Sequence, residues 1–115
     1  MASGDASHAE GGWNGKIAQP TSATTVSAHA EGAGTLASGS VSHAEGLVTS
    51  ATATAAHAEG SGTIASGVES HAQNTNTVAS ANSSHAGGNL SVASGIESFV
   101  HSKNSLVSGD RSAVF

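Results

Sequence analysis

A repeat of 14 residues constrains the fold of this chain more than any other feature of its sequence. Five histidines recur at that spacing, and the frame continues to Phe99 and Ala113. These five are His29, His43, His57, His71 and His85. His8 precedes His29 by 21 residues, which is one period plus seven. Because helical hairpin repeats need about 33 residues or more, the unit predicts two short strands and two turns instead.

Each unit contains two segments that alternate with turn residues. It reads S-H-A-E-G-x-x-T-h-A-S-G-x-x, where h is Leu, Ile or Val in most units. Gly and Asn recur between the segments, and both tolerate the positive φ angles of tight corners. In the first segment, strand alternation puts Ser and Ala on one face and His and Glu on the other. Since glutamate fits a narrow apolar interior poorly, we expect the alanines to point inward. They are Ala44, Ala58, Ala72 and Ala86.

The second segment leaves two assignments open. Thr and Ala share one face of this strand, and the aliphatic residue shares the other with Ser. If the alanine points inward, a row of aliphatic side chains remains outside and needs a partner; otherwise these side chains fill the interior. The row is Leu36, Ile64, Val78, Val92 and Leu106. With 3% aromatic residues, one chain buries little apolar area in either case, so we expect side-by-side association.

Composition excludes several classes of protein. The chain has no cysteine, which rules out disulfides and zinc–thiolate sites. No apolar run approaches the ~20 residues of a membrane span, so membrane insertion is not expected. Three Lys and Arg residues are too few for a nucleic-acid surface. The repeat-like sequence begins directly after Met1, and the last residues fall inside a repeat. We therefore expect a single repeat domain over residues 1–115 that is a fragment of a longer protein.

The stretches "NTVASANSSHAGGNLSVASGIES" and "NSLVSGDRSAV" resemble the YadA-like head repeats of trimeric autotransporter adhesins. In that family, a strand with the sequence motif N-S-h-A-h-G is followed by a strand with the motif G-x-x-S-x-A-x-G. The positions that match the first motif are Asn76–Ala81 and Asn104–Gly109. The second apolar residue of that motif is Ser or Thr here, which predicts a weaker core. The substituted positions are Ser38, Thr52, Ser66, Ser80, Ser94 and Ser108.

The resemblance implies an all-β fold: a left-handed parallel β-roll, or β-solenoid, of 14-residue coils that assembles as a parallel homotrimer. The SHAEG/ASG form is similar to repeats in tail or spike proteins of phages and prophages. A non-enzymatic module is therefore expected, a shaft or head on a virion tail or bacterial cell surface that spaces and presents binding domains. The alternative is a module that itself binds a host receptor, either a cell-surface glycan or a protein.

Histidine and glutamate two positions apart invite a catalytic interpretation. An enzyme, however, needs one preorganised pocket rather than a series of equivalent pairs, so we predict a structural ladder with no catalytic residue, no metal and no cofactor. Its members are His29, Glu31, His43, Glu45, His57, Glu59, His71 and His85. A metal alternative requires one imidazole from each of three chains to converge on a trimer axis.

The segment "GGWNGKIAQPTS" interrupts the repeat and supplies the seven extra residues before His29. We predict a loop insertion at about residues 12–22, with Trp13, Asn14 and Lys16 as candidate binding residues. The alternative is that Trp13 covers an apolar seam or caps the exposed end of the roll.

A separate hypothesis is an ice-binding surface made by a regular threonine row. That row is Thr35, Thr49, Thr63 and Thr77.

Overall fold

The computed structural model describes residues 1–12 and 20–115, and these are folded into short parallel β-strands. The strands are β1 (His8–Glu10), β2 (Ser22–Ala23), β3 (His29–Ala33), β4 (Leu36–Ala37), β5 (His43–Leu47), β6 (Ser50–Ala51), β7 (His57–Ser61), β8 (Ile64–Ala65), β9 (His71–Ala72), β10 (Val78–Ala79), β11 (His85–Asn89), β12 (Val92–Ala93), β13 (Phe99–Lys103), β14 (Leu106–Val107) and β15 (Ala113–Val114). Each 14-residue unit contributes one strand of up to five residues and one of two residues.

Odd-numbered and even-numbered strands form two separate sheets. β1 to β15 make an eight-stranded sheet in sequence order, and β2 to β14 make a seven-stranded sheet. Every strand pairs in parallel with its copy in the next coil, as in His43 beside His57 and Ala51 beside Ala65. His8 pairs with His29, so the extra residues leave the frame intact. The predicted β-solenoid of 14-residue coils, about seven turns long, is therefore confirmed.

Alanine fills the interior from both sheets. Ala44 and Ala58 of the eight-stranded sheet have no exposed surface, as predicted, and neither do Ala51 and Ala65 of the seven-stranded sheet. The second strand therefore points its alanine inward. This settles the assignment that the sequence leaves open, because two sheets that meet through methyl groups leave no room for a Leu or Ile side chain between them.

The aliphatic residues of the seven-stranded sheet consequently lie outside. We call the outward row Leu36, Ile64, Val78, Val92 and Leu106 the aliphatic face. Ile64 is 41% exposed and Leu106 is 65% exposed, while the other three are half-buried. The Ser and Thr residues at the second apolar position also point outward: Thr52 and Ser66 are exposed. The expectation that they weaken the core is wrong, since they lie on the outer surface.

The threonine row is buried. Thr35, Thr49, Thr63 and Thr77 have no exposed surface. The hydroxyl of Thr63 donates to the backbone carbonyl of Glu59 at 3.1 Å, and the hydroxyl of Thr49 donates to that of Glu45 at 3.2 Å. These threonines therefore tie the two strands of a coil together from inside. The hypothesis of an ice-binding threonine surface is wrong, because the row does not reach solvent.

Two left-handed positions turn the chain between the first and second strand of a coil. Gly46, at φ 110° inside β5, lies where an added Cβ would overlap the backbone oxygen of Gly60 in the next coil. Gly62, at φ 67°, lies just after β7, where an added Cβ would come closest to the side chain of Asn76. The first position requires close approach of two backbones, whereas the second requires only a left-handed residue.

Candidate functional site: the polar face

The outer face of the eight-stranded sheet carries rows of imidazoles and carboxylates, and we call it the polar face. Its imidazole row is His8, His29, His43, His57, His71 and His85. The rings of His29, His43, His57 and His71 stack in parallel, with centroids 4.6 to 4.8 Å apart and planes within 5°. Parallel pairing of identical strands at a constant register imposes this stack.

The ring orientation changes at both ends of the stack. His8 meets His29 edge-on at 79°, and His85 meets His71 at 76°. Beyond His85, the frame predicts Phe99, and its ring stacks on His85 at 4.7 Å. Phe115 then closes the row at 5.4 Å from Phe99. The row therefore continues as a hydrophobic stack at its C-terminal end. In the same coil, Val100 replaces the interior alanine and has no exposed surface.

A second row of carboxylates lies beside the imidazoles. Glu59 approaches His57 at 3.9 Å and His71 at 3.4 Å through its two oxygens. Glu45 approaches His43 at 3.7 Å and His57 at 3.9 Å in the same manner. Each of these carboxylates therefore connects two coils. The side chains are about one-third exposed, so the rows lie at the boundary between protein and solvent.

Burial controls the protonation of the row. Burial lowers the pKa of His43 and His57 below the ordinary value, and the neighbouring imidazoles lower it further, while the carboxylates oppose the change. Burial also lowers the pKa of His85, with His71 and His101 acting in the same direction. At the exposed end, a hydrogen bond from His8 lowers the pKa of Glu10. Burial therefore favours the neutral form of His43, His57 and His85.

The carboxylate row ends before the imidazole row does. The frame that holds Glu59 continues to Gln73, then to Gly87 and His101. The amide nitrogen of Gln73 lies 3.1 Å from Nε2 of His85 and donates to it, because that nitrogen cannot accept. Sequence reasoning missed Gln73 and His101 as members of the polar face. Adding 14 to Glu59 three times would have found both positions.

All eight predicted ladder residues belong to the polar face, from His29 to His85. An open groove of about 790 Å3 follows the carboxylate row and the glycines after it, from Glu10 to Asn74. The candidate binding residues Trp13, Asn14 and Lys16 lie outside the described residues. The repeated arrangement offers imidazole nitrogens and carboxylate oxygens at regular spacing along one surface.

Comparison with known proteins gives no relative: no family model, no curated protein and no solved structure matches the chain. In residues 1–12 and 20–115 there is no helix long and apolar enough to cross a membrane.

Proposed function

We propose that this chain is a non-enzymatic structural module that assembles as a parallel homotrimer of left-handed β-rolls. Three such chains form a shaft or head that spaces and presents binding domains on a phage tail spike or fibre, or on a bacterial surface adhesin. The trimer, the handedness and the location follow from the resemblance to YadA-like head repeats and to phage tail repeats. The solenoid of parallel coils is the architecture that such a module requires.

The aliphatic face is the observation that carries this proposal. An interior made of alanine buries little apolar area per residue, while the largest side chains of the seven-stranded sheet lie outside. Ser50 interrupts the row between Leu36 and Ile64, and the row is continuous from Ile64 to Leu106. Exposed apolar patches of this kind are typical of protein–protein interfaces. A depression of about 330 Å3 on this face, lined by Pro20, Leu36 and Val48, offers space for an apolar side chain of a neighbouring copy. Association of identical chains through this face would complete the core that one chain lacks.

The mechanism is mechanical and multivalent. Backbone hydrogen bonds join each coil to the next along the whole roll, as in His43 N to Ala56 O and Ser50 N to Thr63 O, both 2.9 Å. Three parallel copies present identical ends and surfaces, so weak contacts of the attached domains add as avidity. The regular imidazole–carboxylate pairs support a structural role over catalysis, because an enzyme concentrates its reactive groups in one pocket.

Two isoleucines provide a matched test of this assembly. Ile64 belongs to the aliphatic face, whereas Ile96 lies at a corner, and they are 41% and 49% exposed. Ile64→Lys would bury three ammonium groups in the interface, so it is expected to lower the mass of the particle in sedimentation velocity from trimer to monomer. Ile96→Lys adds the same charge away from that face and is expected to leave the mass unchanged. A trimer that survives Ile64→Lys would contradict the proposed interface.

A second candidate function is direct recognition of a glycan or protein receptor. The groove along the carboxylate row favours it, because carboxylates lining an open groove can accept hydrogen bonds from sugar hydroxyls. Trp13, in the segment where the sequence predicts a loop insertion, would add an aromatic ring that is suited to stacking on a sugar. Glycan-array binding that is lost in Trp13→Ala without a change in melting temperature would support this candidate. A lower melting temperature would instead assign Trp13 to packing.

A further inference from the structure

Three groups of His, Glu and His on the polar face each bring three metal-ligating atoms together within one chain. The group at the N-terminal end, His8, Glu10 and His29, shares His29 with the next group, which leaves two groups that have no residue in common. They are His29, Glu31 and His43, and His57, Glu59 and His71, with the ligand atoms of each group within 4.8 Å of one another. Each group spans two neighbouring coils. This arrangement differs from three imidazoles at a trimer axis, since no second chain is needed.

The imidazole nitrogens of both groups lack hydrogen-bond partners. Nε2 of His29, His43, His57 and His71 is buried and accepts or donates no hydrogen bond. At the ends of the row the corresponding atoms are satisfied, by Glu10 for His8 and by Gln73 for His85. A buried polar atom without a partner is costly, so two ligands that each satisfy two of these nitrogens would be favoured.

The spacing of nitrogen and oxygen fits a cation between them. Nε2 of His71 lies 3.4 Å from Glu59, and Nε2 of His29 lies 3.4 Å from Glu31. In a tetrahedral site with bonds of about 2.1 Å, the ligand atoms are about 3.4 Å apart. The carboxylate and one imidazole of each group therefore already have the separation of two zinc ligands.

The second imidazole of each group must turn to complete the set. The rings of His57 and His71 are 4.8 Å apart and parallel, so their nitrogens do not yet converge. The edge-on rings of His8 and His85 demonstrate that this face accommodates both orientations. His57 and His71 are stacked on neighbouring imidazoles, so one of the two rings must leave the stack and take the edge-on orientation of His8 and His85 to complete the set.

We propose that each of these His–Glu–His groups binds a divalent transition-metal ion of the zinc class, and that the ion clamps two neighbouring coils. Two imidazoles and one carboxylate are the ligands of such ions, with a water in the fourth position. Mg2+ and Ca2+ prefer oxygen ligands and are excluded by the nitrogen donors.

Isothermal titration calorimetry with Zn2+ alone, on tag-free protein at neutral pH, tests the proposal. Two bound ions per chain are expected, and Mg2+ is expected to give no binding. Glu59→Gln should weaken one of the two sites at least about tenfold, since loss of even a supporting residue costs that much. This variant is expected to fold, because Gln73 holds the same position one coil later. Glu97→Gln is the control, as Glu97 is exposed at a corner outside the carboxylate row.

The reverse substitution sharpens the test. Gln73→Glu places a carboxylate between His71 and His85, where the row now ends, and is expected to increase the amount of Zn2+ bound at saturation. Melting temperatures with and without Zn2+ give a second readout, because an ion that binds only the folded chain raises the melting temperature. Absence of Zn2+ binding, or equal weakening in Glu59→Gln and Glu97→Gln, would overturn the proposal. Neither outcome depends on the oligomeric state.

Discussion

The polar face and the aliphatic face are built on the same coil but differ in every property of their side chains. Both strands of a coil point alanine inward, so both sheets share one interior. One outer surface then carries stacked imidazoles with carboxylates, and the other carries branched aliphatic groups. The 14-residue period therefore determines the fold, whereas the side chains of the outward rows determine what each surface can contact.

Enlarging the interior should damage both sheets equally, and this is the largest effect we expect. Ala58 and Ala65 face the interior from opposite sheets and have no exposed surface. Ala58→Leu and Ala65→Leu should each lower the free energy of unfolding by about 3 kcal/mol, because overpacking a closed interior forces the sheets apart. Urea unfolding followed by circular dichroism measures this loss.

Ser66→Leu is the control for the interior, because Ser66 follows Ala65 directly but is exposed. It should leave the free energy of unfolding nearly unchanged. If Ala58→Leu were tolerated while Ala65→Leu was not, the two faces would not share one interior.

The two left-handed positions, Gly46 and Gly62, should differ in the same measurement by a smaller amount. Gly46→Ala forces a left-handed Cβ against the backbone of Gly60 and should cost at least about 2 kcal/mol. Gly62→Asn should be almost neutral, because Asn76 and Asn104 hold the same left-handed position in later coils. A Gly46→Ala variant as stable as the native chain would mean that the coils do not approach as closely as described.

Lowering the pH should reduce the stability of the folded chain through the polar face and not through the aliphatic face, and this effect should be smaller than those above. The folded pKa of His43, His57 and His85 lies below the ordinary value of 6.5, so the folded chain holds fewer protons than the unfolded chain between those values. Stability is therefore complete above about pH 6.5 and falls as the pH decreases through that window. The groups that face these imidazoles are His29, His71, His101, Glu31, Glu45 and Glu59.

Thermal melts in metal-free buffer between about pH 7.5 and pH 5 measure this dependence. The variant His43→Gln/His57→Gln removes two of the titrating groups and should flatten the curve, whereas Ile96→Lys, at a corner outside both faces, should retain its slope. A native melting temperature that stays constant over this range would contradict the assignment of depressed pKa values to the polar face.

The period was sufficient to predict the register, the inward alanines of the first strand and the histidine stack. It could not show which face of the second strand points inward, because each face has one polar and one apolar residue. Thr and Ala lie on one face, and Ser and the aliphatic residue lie on the other. The narrow interior determines the orientation, because beside a buried alanine such as Ala58 there is room only for a small side chain such as that of Ala51 or Ala65. The burial of Thr63 was also not predictable, since its hydroxyl finds a partner only after the corner brings the carbonyl of Glu59 within reach.

Association of three chains through the aliphatic face fixes the mass of the particle, which size-exclusion chromatography with light scattering measures. A homotrimer of 11.0 kDa chains has a mass of about 33 kDa, which is three times the chain mass. We predict that value for the native protein. A mass near 11.0 kDa would contradict the account, because the aliphatic face would then remain exposed to water in a monomer.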